Sequence, residues 1–191
     1  MEISAREKSI LMGLAREAIH LTLSGSEPGT PPARLITARL RKESGAFVSI
    51  YKNRMLRGSM GLVLPLVPLW RAVRESAVYA AFRDPRFSPI TADEMDDLTL
   101  EIAVLTSCGS AEGPSCVHGT VYRKDFRQAA LLPHCAEVQE GKAGCTAAYR
   151  TGTLGLDPRE WDGVDVKDTF CVEVFREERV RSGRRMPGKR R

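Results

Sequence analysis

Ala46-Phe-Val-Ser-Ile-Tyr51, Lys52-Asn-Arg-Met55 and Leu56-Arg-Gly-Ser-Met-Gly61 decide the architecture of this 191-residue chain. The first segment alternates and is rich in β-branched and aromatic residues, the second has turn composition, and the third returns as a partner strand. Together they predict a hairpin, and hence antiparallel pairing. The returning hexapeptide sets a guanidinium beside, and a hydroxyl between, two residues without side chains. Such a segment opens main-chain N–H groups to a ligand while one fixed positive charge selects its sign.

Helical signals lie on both sides of the hairpin. Ser4 and Glu7 form a capping-box pattern, after which Ile10, Leu11, Leu14, Ala18 and Leu21 recur at helical spacing and Gly25 is the stop. Residues 25–33 read as a Pro/Gly/Ser loop, and Leu35 to Leu40 as a second extended or helical piece. A helix after Pro68 carries Trp70, Val73, Ala77 and Ala81 on one stripe and breaks at Asp84-Pro85. Thr91 and Glu94 open a brief helical turn, and Leu98, Leu100, Ile102 and Val104 alternate as a strand. Residues 117–124 and 127–132 predict a second hairpin about Asp125-Phe126, 143–151 a helix, and Thr169 to Phe175 a last strand. Hairpins mixed with helices, without strict βαβ units, predict an α+β fold with a mainly antiparallel sheet flanked by helices.

Length suits one domain with a proper core. The formal charge of +5 is local: seven basic and no acidic residues occupy 179–191, leaving 22 basic against 24 acidic in residues 1–178. The division expected is therefore a nearly neutral domain over 1–178 and a solvated, disordered basic tail over 179–191. An alternative use of the tail is nucleic-acid contact through Arg181, Arg184, Arg185, Lys189, Arg190 and Arg191, or a nuclear address in a eukaryotic cell. The longest apolar run, Leu62 to Trp70, is too short to span a membrane and contains Pro65 and Pro68. The N-terminus lacks a signal-peptide pattern. Five cysteines with no CxxC pair suit a reducing cytosol, so a cytoplasmic protein is expected.

Taken in order, several segments resemble the AMMECR-type domain, the "protein A" member of the AmmeMemoRadiSam system. They are Gly45-Ala-Phe-Val-Ser, Leu56-Arg-Gly-Ser-Met-Gly, Asp84-Pro-Arg-Phe-Ser-Pro-Ile-Thr, Asp97-Leu-Thr-Leu-Glu-Ile-Ala-Val-Leu, Ala130-Leu-Leu-Pro and Gly155-Leu-Asp-Pro-Arg-Glu-Trp. The resemblance covers roughly residues 8–176. It implies an α+β fold of two unequal subdomains and association with Memo-like and radical-SAM proteins. It names no reaction and no cofactor. The family's usual hexapeptide has cysteine where this chain has Ser59, and its hairpin turns usually carry glycine where this chain has Arg54 and Asp125-Phe126.

A turn centred on Asn53-Arg54 sets Arg57 opposite Ile50 and Ser59 opposite Val48 on one face. The functional reading is a pocket for a small anionic ligand or modified peptide, lined by Arg57, Gly58, Ser59, Gly61, Arg86 and Glu101. The structural reading pairs Arg57 with a core carboxylate such as Glu101. Ser59 as a nucleophile would need a general base, and the sequence identifies none. In the second hairpin Cys116 falls opposite Cys135 beside His118, a weak zinc set without a fourth ligand; buried thiols or a disulfide are the alternatives. Asp84-Pro85-Arg86-Phe87 reads as a rigid turn with Phe87 packed in the core, or else as a source of Arg86 for the pocket. Asp96 and Asp97 read as a solvated turn, His20 as a surface residue, and Trp70 and Trp161 as core anchors. The function expected is an accessory binding domain beside Memo-like and radical-SAM partners; the alternative is a nucleic-acid-associated regulatory protein using the tail.

Overall fold

The computed structural model describes residues 2–107, 117–124, 127–131 and 165–177. Ser4 caps helix α1 (Ala5–Leu23), its hydroxyl accepting from the Glu7 N–H while the Glu7 carboxylate accepts from the Ser4 N–H. Gly25, at φ 72°, follows the helix in the left-handed region where glycine carries no Cβ penalty. Helix α2 (Leu69–Phe82) starts directly after Pro68 and stops just before Asp84-Pro85, as the proline rules require. The expected piece from Leu35 to Leu40 is not a regular element: a short 3₁₀ turn spans Ala33–Leu35, residues 36–40 form neither a helix nor a strand, and Thr37 to Arg41 is hydrogen-bonded turn.

The strands are β1 (Gly45–Lys52), β2 (Met55–Leu62), β3 (Leu98–Ser107), β4 (Val117–Lys124), β5 (Arg127–Leu131) and β6 (Asp165–Arg176). They form one sheet in the order β2-β1-β3-β6-β4-β5, and every described pair is antiparallel. The β4–β5 hairpin keeps the register its sequence implied, with Thr120 opposite Leu131. The fold is α+β. The expected helix over 143–151 and the tail from 179 lie outside the described residues.

Both helices cover one face of the sheet. Leu11, Leu14, Ala15 and Ile19 of α1 and Leu69, Ala72, Val73, Ala77 and Ala80 of α2 are buried against Ala46, Val48, Ile50, Leu100, Ile102 and Val104. Alanines on α2 let it approach β2 closely, and Gly58 completes that fit. A Cβ built at position 58 would lie 2.1 Å from the Ala80 carbonyl oxygen. The opposite face carries a smaller cluster of Phe47, Ala103, Leu105 and Val172. There Gly61 admits the Phe47 ring, which a Cβ would meet at 2.3 Å.

Candidate functional site

The β1–β2 turn forces Asn53 and Arg54 to φ 52° and 67°, the double positive φ of a tight hairpin turn. Beyond the turn Lys52 pairs with Met55 and Tyr51 with Leu56, but Ile50 then pairs with Gly58. Arg57 is the extra residue of a β-bulge, which shifts all later pairs by one. The pairings expected from the turn alone, Arg57 with Ile50 and Ser59 with Val48, are therefore replaced by Gly58 with Ile50 and Ser59 with Ser49.

The bulge turns Arg57 toward the segment after α2. Its Nε and Nη2 donate to the two carboxylate oxygens of Glu94 at 3.2 and 2.9 Å. Nη1 donates to the Ser88 carbonyl at 2.7 Å, and Nη2 also donates to that of Pro89. Four of the five N–H donors of the guanidinium are thus engaged internally, and the side chain is 16% exposed. Lys52 adds a second cation at 3.0 Å from Glu94. Glu94 itself caps the 3₁₀ turn Ala92–Asp97 that Thr91 opens. Hydrogen bonding from Arg57, reinforced by Lys52 and opposed by burial, lowers the Glu94 pKa from 4.5 to about 2. The carboxylate that the structural reading needed is Glu94 rather than Glu101. Its capping-box position was readable, but only the tertiary fold carries it to Arg57.

Asp84 and Arg86 complete the exposed edge of the sheet. β2 is the outermost strand, so alternate N–H and C=O groups point away from β1. The Ser59 N–H donates to Asp84 Oδ2 at 2.8 Å, and Arg86 Nη2 donates to the Ser59 carbonyl at 3.1 Å. Arg86 also grips both Asp84 oxygens through Nε and Nη2, at 2.9 and 2.7 Å. Burial raises the Asp84 pKa, yet the Arg86 guanidinium and the Ser59 and Arg86 N–H groups together bring it below the ordinary value. The Asp-Pro-Arg turn thus substitutes for a neighbouring strand. Phe87 is half-buried beneath Arg86, whose guanidinium lies 5.4 Å from the ring centre.

With its backbone groups turned outward, Ser59 makes a non-hydrogen-bonded pair with Ser49, the closer of the two antiparallel spacings. Their hydroxyls lie 2.9 Å apart. On the same face Glu101 pairs with Arg176 at 2.9 Å and accepts from the Tyr51 hydroxyl at 3.2 Å, while the Arg176 guanidinium stacks 4.3 Å from the Tyr51 ring centre. The residues expected to line one hollow are therefore distributed. Gly58 faces α2, Ser59, Gly61 and Glu101 share the opposite face, and Arg57 and Arg86 engage the segment that follows α2.

His118 lies in β4 at the register position of Cys171 in β6; Cys116, Cys135, Trp161 and the tail arginines and lysine lie outside the described residues. Cys171 is disulfide-bonded, so the expectation of reduced thiols does not hold for it. Among the described residues no cluster of three metal-ligating side chains occurs, and no helix is long and apolar enough to cross a membrane. His20 is exposed on α1, as are Asp96 and Asp97.

A hollow of about 890 Å³ lies elsewhere, between the end of α1, the loop after it, and the outer face of α2. Its wall includes Trp70, Arg74, Val78 and Tyr79 of α2 and Pro28 and Gly29 of the loop. Trp70 thus packs on the core with one side and lines this hollow with the other. Arg74 is buried, 6% exposed, and its Nη1 donates to the Gly29 carbonyl at 2.5 Å. Its Nε is buried with no acceptor. Burial lowers the Arg74 pKa, with the nearby charge of Glu17 opposing the shift. The sequence did hold a signal for this residue: Arg74 sits one turn from Trp70, in phase with a helix stripe that is otherwise apolar.

Comparison with known proteins places the same segments in a family. A protein of Thermococcus gammatolerans is 33% identical over 183 residues, covering 88% of this chain and 89% of the relative. One from Methanosarcina acetivorans is 31% identical and covers 92% and 94%. The crystal structure of an uncharacterized protein from Pyrococcus horikoshii superposes with a TM-score of 0.69 at 31% identity, covering 88% of this chain and 90% of that one. The AMMECR1 family model matches residues 12–175, a span that contains the hexapeptide, its arginine lock and the capped sheet edge. This chain belongs to the AMMECR1 family.

Proposed function

We propose that the protein is a binding module for a small anionic ligand, working as an accessory component beside Memo-like and radical-SAM proteins. One observation carries the binding part: a ligand-sized hollow has in its wall a buried guanidinium that makes no ion pair with a described carboxylate. Burying an unpaired charge is costly, and an incoming anion offsets that cost. The hexapeptide is a weaker candidate, because Glu94 and two carbonyls already engage Arg57, and Asp84 and Arg86 engage the Ser59 backbone. The accessory role is supported by the family resemblance alone.

Native mass spectrometry of protein purified without added ligand, followed by thermal melts with phosphate, sulfate and carboxylates, tests the reading. A co-purified anion, or a melting shift of about 5–10 °C at saturating anion, is the expected outcome. A protein that carries nothing and melts unchanged with every anion would be incompatible with it.

A further inference from the structure

We infer that the hollow between α1 and α2 takes a small organic monocarboxylate with a flat apolar body, its carboxylate docking on the Arg74 guanidinium at Nη2. The inference rests on the anion-binding reading above and names the class of ligand.

Three other arginines show that this fold pairs a guanidinium with a carboxylate. Arg16 holds Glu177 through Nε at 2.8 Å and Nη2 at 2.7 Å. Arg57 holds Glu94 and Arg86 holds Asp84 through the same two nitrogens. In each case two parallel N–H groups meet two coplanar oxygens, the bidentate geometry that suits a carboxylate. Arg74 is more buried than a side chain of this kind tolerates alone, yet only its Nη1 is engaged, by the Gly29 carbonyl. Nε is closed to solvent and has no acceptor, so water does not satisfy it. An orphaned buried donor is costly and calls for an explanation. A ligand carboxylate at Nη2 supplies the counter-charge that Glu177, Glu94 and Asp84 supply elsewhere.

The surroundings select the rest of the molecule. Arg71, the other arginine of the wall, is already paired with Glu75 at 2.7 Å. Glu75 and Glu27 also line the hollow, and Glu17 lies within electrostatic reach of Arg74. One unpaired guanidinium among three carboxylates favours a monoanion over a phosphate dianion. Pro28, Pro68, Trp70, Val78 and Tyr79 supply the apolar wall, and the Trp70 ring centre lies 5.9 Å from the Arg74 guanidinium. A flat body laid on that ring keeps its carboxylate beside the cation. A volume of about 890 Å³ is in the range of small-molecule sites.

Calorimetric titration of the full chain with 3-phenylpropionate, acetate and inorganic phosphate tests this. Binding of 3-phenylpropionate at least about tenfold tighter than either other anion is expected. R74K keeps the charge but lacks the planar fork, and should weaken 3-phenylpropionate about tenfold or more. R74M should abolish binding while leaving the melting temperature of the empty protein unchanged or higher, because an unpaired buried charge is gone. Equal or tighter binding of phosphate or acetate overturns the ligand class and leaves the anion-binding reading standing. Wild-type affinity in R74K overturns the fork. A large drop in melting temperature, or failure to fold, in R74M would make Arg74 a structural residue and overturn the site. Binding of none of the three probes defeats both readings together.

Discussion

Arg57, Arg54 and Glu94 show how much one position can depend on a neighbour distant in sequence. The Arg57–Glu94 pair is largely buried and bidentate, so removing either partner leaves an uncompensated charge. Glu94→Ala should lower stability by about 3 kcal/mol, measured by urea denaturation at neutral pH. The same carboxylate creates a pH dependence. Its pKa is about 2 in the folded protein against an ordinary 4.5. Between those values the unfolded chain binds a proton that the folded chain does not, so stability falls as pH drops through that window. Its contribution is complete above about pH 5. Glu94→Gln should flatten the slope of unfolding free energy between pH 4.5 and 2, and an unchanged slope would remove Glu94 from the account. Arg54, at φ 67°, bears the steric cost of a left-handed residue with a Cβ. Arg54→Gly should raise stability by about 0.5–1 kcal/mol in the same assay, provided the turn keeps its geometry.

At the scale of elements, strand β2 is the piece that the rest of the fold treats as vulnerable. It is an edge strand, packed on one side by α2 and bounded by the Asp84-Pro85-Arg86 turn. Asp84→Ala removes the acceptor for the Ser59 N–H and the counter-charge of Arg86. A loss of about 2–3 kcal/mol is expected, together with more self-association by size-exclusion chromatography, because the edge becomes available for pairing. Unaltered stability and elution would show that the turn does not protect the edge. Gly58→Ala tests the helix–strand contact, since its methyl would collide with backbone rather than with a movable side chain. Overpacking of this kind costs about 1–3 kcal/mol, and a neutral result would mean that α2 shifts freely.

For the whole molecule, the arrangement of charge separates two parts of the chain. Residues 1–178 are nearly neutral, with Arg16, Arg57 and Arg86 engaged in specific pairs, whereas residues 179–191 hold seven basic groups and no acidic one. If the alternative use of the tail holds, deleting 179–191 should abolish salt-dependent binding to duplex DNA in fluorescence anisotropy while leaving the melting temperature of the domain unchanged. DNA binding that survives the deletion with the same salt slope would assign it to the domain instead.

Local chemistry was enough to define most elements. Capping boxes at Ser4 and Thr91, the prolines at 68 and 85, and the alternation from Leu98 to Val104 each involve residues close in sequence, and their hydrogen bonds or steric clashes form within a few positions. The family segments and the antiparallel α+β architecture followed from the same local order. The bulge at Arg57 was not legible, because a turn specifies register only until an extra residue is inserted, and the sequence does not mark which residue that is. Nor could the chain alone say that Arg57 meets Glu94, that Asp84 caps Ser59, or that Arg74 lacks a carboxylate. Those outcomes depend on which charges converge when α2 packs on the sheet, and a guanidinium's role is set by the partner delivered to it.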